Sequence, residues 1–216
     1  VEYDRLAHMT DKYLDKVLES PILTASAKDY FITKMRYNYR FTSPMSYRHP
    51  IYFSTTLTEA SNILALGYLA AGKSWNEKDK VTFKAPFSQF VKAEVDWRKT
   101  WSIGDHSSLV AHAQAGVLKV YGNSDSAPYS EYFYVGGANN VRAFSARSIG
   151  PGRSHVTDSD LAYLTNVGDM KFVMNLEYRP HLFGSLYGAL FVDAGNVWTF
   201  NSDVDFKPTG EQQADD

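Results

Sequence analysis

The sequence predicts an all-β protein, an antiparallel transmembrane β-barrel present as an incomplete piece of about six strands. Three observations carry that expectation. From residue 29 onward apolar and polar residues alternate with a period of 2. The links between the alternating runs switch regularly between short and long. Aromatic residues gather at the ends of the apolar faces, where the rings of a membrane barrel form interfacial girdles.

The first element is the exception. In Arg5–Glu19, Leu6, Met9, Tyr13, Leu14, Val17 and Leu18 recur at steps of three and four, Thr10, Asp11 and Lys12 fill the polar side, and Pro21 ends the run. Residues 1–28 are therefore expected to be a helical external loop segment that packs over the barrel mouth. Residues 29–200 are expected to carry the strands, with a long lumen loop at 122–170, and 201–216 a truncated external loop.

The strands follow in order. Tyr30–Phe41 sets Phe31, Met35, Tyr37, Tyr39 and Phe41 against Lys34, Arg36, Asn38 and Arg40. Ile51–Asn62 and Phe90–Trp101 repeat the alternation, the second with Val91, Ala93, Val95, Trp97 and Trp101 against Lys92, Glu94, Asp96 and Arg98. Ser108–Tyr121 sets Leu109, Ala111, Ala113, Ala115 and Val117 against His112 and Gln114. Lys171–Pro180 sets Phe172, Met174, Leu176 and Tyr178 against Asn175, Glu177 and Arg179, and Ser185–Trp198 closes the series. Each is near the roughly 9–11 residues that a tilted strand needs to cross a bilayer. Ser43–Pro50, Ser102–Ser107 and His181–Gly184 are the short links; Ile63–Gln89 and Gly122–Met170 are the long ones. Ile63–Gln89 carries Lys73, Lys78, Lys80 and Lys84, a solvated charge run that suits lipopolysaccharide phosphates.

Composition sharpens the class. Twenty-two basic and 24 acidic residues leave a net charge of -2, with no basic footprint for nucleic acid. Mean hydropathy is -0.34, and no run of about 18 apolar residues forms a transmembrane helix. Strands escape that test, because half of each is polar. With no cysteine, disulfides, thiolate metal sites and a cysteine nucleophile are excluded. The opening Val1-Glu2-Tyr3-Asp4 has neither region of a signal peptide, so a mature chain or an internal piece is expected. No nucleophile elbow, zinc-protease helix, phosphate loop or dinucleotide loop occurs, and the six histidines are scattered. The reading therefore expects no enzyme, no metal and no cofactor, with His112 a hydrogen-bonding residue on the polar face.

Two motifs stand out. The run from Pro128 to Phe144 contains Phe133-Tyr134-Val135-Gly136-Gly137 and then Val141-Arg142-Ala143-Phe144, with Ile149-Gly150-Pro151 beyond it. The last strand contains Phe191-Val192-Asp193-Ala194-Gly195. Together with Asn175-Leu176-Glu177-Tyr178-Arg179 between them, these segments resemble the sixth external loop and following strands of the BamA/TamA superfamily of outer-membrane assembly barrels. Ala143 departs from the family, which usually has glycine there, and is expected to resist a positive φ at the loop tip.

The resemblance implies a sixteen-stranded barrel preceded by periplasmic POTRA domains, of which these six would be the eighth to thirteenth strands. Six are too few to close a membrane barrel, so an open piece of a larger one is expected. It also implies that the loop folds into the lumen and that Arg142 meets Glu177 and Asp193 on the barrel wall. Alternation alone puts both carboxylates on polar faces and favours reading them, with Arg142, as ordinary lumen charges facing water. The implied function is non-enzymatic assembly of client proteins into or across the bacterial outer membrane. Client outer-membrane or secreted proteins, outer-membrane lipid and periplasmic or lipoprotein accessory subunits are the implied partners. A two-partner-secretion-type exporter or another pore-forming barrel is the alternative, and a soluble β-rich binding protein a third.

Overall fold

The computed structural model describes residues 2–4, 30–44, 46–82, 85–153 and 166–200. The helix expected over Arg5–Glu19, the segment 201–216 and Lys84 lie outside the described residues.

Six long strands form one antiparallel sheet in which sequence neighbours are spatial neighbours. They are β1 (Lys34–Thr42), β2 (Ile51–Ala60), β3 (Phe90–Ile103), β4 (Ser107–Val120), β5 (Met170–Arg179) and β6 (Leu190–Trp198). The register runs unbroken across all five pairs, so alternation keeps every odd residue of β1–β4 on one face. The sheet is an incomplete barrel wall.

Its outer face is apolar and uncovered: Tyr37, Tyr39, Phe41, Leu57, Phe172, Met174 and Leu176 are all about half exposed. At the short-turn end Trp101, Leu109, Tyr178 and Leu190 lie in one cross-strand row. From Leu109 to Lys119 is ten residue steps of β4, about 34 Å along the strand at about 3.4 Å each. A tilt of about 40° reduces that to about 26 Å, close to the roughly 25 Å apolar band of an outer-membrane barrel. Lys99 interrupts the band, but its Nζ donates to the His49 carbonyl at 2.8 Å, in the turn below.

The inner face is polar through its middle and apolar near the long-loop end. There Ile32, Ala60, Phe90, Leu118, Val173 and Val197 form a core with Ala127, Phe133, Val135 and Val141 of the long loop. The wall thus buries nonpolar area only where the loop lies on it.

Three expectations change. The first long strand does not run from Tyr30: Ser61 turns into the left-handed region, φ 59°, and Thr33 N–H meets its hydroxyl at 3.4 Å, so the ladder with β2 ends there. Residues Tyr30–Ile32 pair instead with Glu2–Asp4, a strand within the stretch expected to be helical. The last strand begins at Leu190, because His181–Phe183 and Leu186–Tyr187 form their own small hairpin around Gly184. Third, Ile63–Gln89 departs from a solvated lysine run at Lys80, which is buried with its Nζ on the carbonyls of Ser74 and Trp75. The Lys73 and Lys78 side chains are solvent-exposed beside carboxylates as expected, and helix α1 (Asn62–Ala70) opens the stretch.

Candidate functional site

The long loop crosses the inner face of the wall, and its shape follows from its glycines. Gly136 and Gly137 both have positive φ, 110° and 98°, reversing the chain so that Gly137 N–H donates to Phe144 O at 2.9 Å. A Cβ on Gly136 would stand 2.2 Å from Ser145 O, so no other residue fits. The hairpin so formed projects Val141 into the core and Arg142 across the wall. Ala143 is not in the left-handed region, so the departure from glycine carries no backbone strain; among the described non-glycine residues only Ser61 and Arg147 have positive φ.

The Arg142 guanidinium forks onto Asp193, Nε to Oδ2 and Nη2 to Oδ1, each at 2.8 Å. The Arg142 backbone N–H adds a third bond to Oδ2 at 3.0 Å, and Nη1 donates to Glu177. Asp193 raises the guanidinium's pKa above its ordinary value, burial opposes the rise and Glu177 adds to it, so the cation is permanent. The register that places Asp193 opposite Asn175 and Phe191 opposite Glu177 brings both carboxylates to one spot.

The last-strand motif acquires a role at each position. Phe191 lies under the guanidinium, Cζ to ring centroid 3.7 Å, an attraction between cation and ring face. Asp193 holds the fork. Gly195 leaves room for the loop, because a Cβ there would meet Val173 at 3.0 Å and Val135 at 3.2 Å.

The fork is one end of a longer network. Asn175 Nδ2 donates to Asp193 Oδ1 at 2.9 Å and to the loop carbonyl of Asn140 at 2.6 Å. His112 Nδ1 lies 2.9 Å from Asn175 Oδ1, and its Nε2 faces Asp96 at 3.3 Å. Asp96 also accepts from Gln114 Nε2 at 2.9 Å, and Arg179 pairs with Glu177 at 2.6 Å. A cavity of about 410 Å³ lies between this wall and loop residues Asn139 and Asn140, lined also by Arg98, His112 and Arg179.

A second docking point lies nearer the long-loop end. Glu131, in a 3-10 turn (Tyr129–Glu131), is 6% exposed and pairs with Lys34 of β1 at 2.6 Å and Lys92 of β3 at 3.4 Å. Burial pushes this carboxyl up, but the Lys34 bond and charge, with Lys92 behind them, outweigh it and hold the group below its usual range. Phe133 sits over Gly116, with Lys92 Nζ 4.7 Å and Lys171 Nζ 5.6 Å from its centroid. Its backbone exchanges bonds of 3.0 and 2.9 Å with Gly168.

Loop and wall are thus fastened by side chains that a sixth-loop barrel would supply. A model of the Omp85 superfamily domain matches residues 79–215. The chain belongs to the Omp85 superfamily. Omp85 proteins are outer-membrane β-barrels of Gram-negative bacteria and organelles that insert or secrete client proteins, the superfamily of the BamA- and TamA-type barrels. The matched Omp85 region covers β3 to β6 and the whole loop, and with them every residue of the two docking points except Lys34.

The motif resemblance singles out Gly136, Gly137, Val141, Arg142, Ala143, Phe144, Glu177, Phe191, Asp193 and Gly195; the structure brings these to one loop–wall junction except Ala143, which makes no contact with the wall described above, and Phe144, which is 52% exposed. Sequence reasoning misses Glu131, Lys34, Lys92 and the seat of Phe133 on Gly116. The available signal is weak: one acid in an aromatic run, and one glycine on the polar face of a strand. Among the described residues no group of three His, Cys, Asp or Glu side chains is placed to hold a metal.

Proposed function

We propose that this chain supplies part of the wall and the lumen loop of a BamA/TamA-type assembly factor in the bacterial outer membrane, working without covalent catalysis. The observation that carries the reading is the three-bond grip of Arg142 on Asp193, with Phe191 beneath the guanidinium. The grip suits an assembly barrel, because the wall must stay shaped while a seam elsewhere in the barrel templates client strands by backbone pairing. The ionisable groups at the junction grip one another, which makes the junction a fastening. Client outer-membrane proteins meet the seam, and lipid meets the apolar outer face.

The test is Arg142→Ala in the intact protein in its membrane. Removing one partner of a charge-assisted cluster costs about 1.5–3 kcal/mol per bonded charge, so the loop should open to protease and client barrels should fall in abundance. Normal client levels with an opened loop would overturn the assembly reading. Loss of one secreted partner, with membrane clients intact, would replace it with the exporter reading.

A further inference from the structure

The loop grips the wall at two places, and their charges are reversed. At the Arg142 fork the loop supplies the cation and β5 and β6 the anions. At Glu131 the loop supplies the anion and β1 and β3 the cations. Read through the register, Lys92 stands opposite Leu118, while Asp193 stands, through Asn175, opposite His112. Six residues of β4 therefore separate the two levels, about 20 Å along the strand.

We propose that Glu131 is a second positioning residue of the lumen loop, a buried carboxylate latch that grips Lys34 and Lys92. With it the loop straps β1 and β3 to β5 and β6 instead of hanging from the last two strands. The inference goes beyond the assembly reading, since it concerns how the loop is held and not which clients are handled.

Burial is the first argument. The Glu131 side chain is 8% exposed and those of Lys34 and Lys92 are 19% and 12% exposed. A carboxylate so placed is tolerated only when paired, and two ammonium groups converge on it, that of Lys92 also lying 4.0 Å from Glu94. Packing is the second. Phe133, two residues on, fills the space over Gly116 and takes Lys92 and Lys171 at its ring, so the turn cannot slide without unseating an almost fully buried aromatic. Polarity is the third. A loop shifted or inverted along the wall would set Glu131 against Glu177 and Asp193, or Arg142 against the lysines. Like charges oppose that exchanged arrangement, so the pattern disfavours it as well as stabilising the docked one.

Hydrogen exchange of the intact protein, reconstituted without clients, separates the two latches. Glu131→Gln, and from the wall side Lys34→Met, should raise exchange in residues 127–135 about tenfold or more, the effect of losing a charge-assisted bond. Residues 140–147 should stay within about twofold of the parent, since contacts this far apart act independently. Arg142→Ala should give the converse. Glu131→Lys should release 127–135 as well, and adding Lys34→Glu should restore most of its protection by remaking one pair with reversed sign. Unchanged migration of the heat-modifiable folded form establishes that each variant is folded. Parent-like exchange at 127–135 in both single variants, equal release of both segments, or no rescue by the charge swap would each overturn the proposal. Because no client is present, those outcomes are independent of the assembly reading.

Discussion

Gly116→Ala is a one-methyl perturbation whose consequence can be worked from the coordinates. A Cβ at this position stands 2.5 Å from Phe133 Cζ, 2.6 Å from Cε1 and 3.2 Å from Cε2. Carbon atoms pack at about 3.5–4.0 Å, so the ring must withdraw by about 1 Å, enough to forfeit a quarter to a half of each affected contact. It has little room to do so, being 3% exposed, beneath two lysines and tied to Gly168 through its backbone. The strand itself is undisturbed, since Gly116 is not among the positive-φ glycines and keeps both ladder groups. Overpacking of this kind costs about 1–3 kcal/mol, which raises the released fraction of the loop about 5- to 150-fold. Limited chymotrypsin digestion at Tyr129, Tyr132 and Tyr134 reads that fraction, because cleavage follows the open population when reclosing is fast. Phe133→Leu should relieve the Gly116→Ala clash, so the double variant should be cleaved more slowly than the sum of the two penalties requires. Parent-like cleavage of Gly116→Ala, or strictly additive penalties, would refute the seat of Phe133 on Gly116.

Two further outcomes follow from the same geometry. Arg142→Lys keeps the charge but replaces a planar fork by a point donor, so it should open the loop by about half the free energy of Arg142→Ala; digestion rates equal to the parent would show that charge alone holds the loop. The Glu131 carboxyl is held below its ordinary range by Lys34 and Lys92. Its contribution is therefore fully present above the ordinary glutamate value of about 4.3 and is lost as pH falls through its lower folded value. Exchange at 127–135 should rise on acidification in the parent and stay flat in Glu131→Gln over the same window; an acid response that survives in the variant would assign it to another group.

Much of the wall is legible in the sequence, for a simple reason. A strand with one face to lipid and one to a lumen must alternate, so Phe172, Met174 and Leu176 announce their face whatever lies across from them. The same alternation puts Glu177 and Asp193 on the inner face. It does not join either to Arg142; that link enters through the motif resemblance, since loop and strand lie 35 and 51 residues apart. Where alternation misleads, a local backbone event intervenes. Ser61 turns left-handed and ends the ladder opposite Thr33, and Gly184 closes a hairpin where the last strand is expected to begin.

Local pattern is enough to give the strands of the sheet and which residues face inward, because period, aromatic placement and link length are local or nearly so. Only the tertiary structure decides what the inward residues do. Lys80 reads as a solvated charge and is buried on two carbonyls; Glu131 reads as one acid among aromatics and joins β1 to β3; Gly116 reads as a gap in a strand and is the floor under Phe133. Each of these depends on the path of one long loop over a wall. That path is set by the sum of many weak contacts between distant segments, and no period in the chain encodes it.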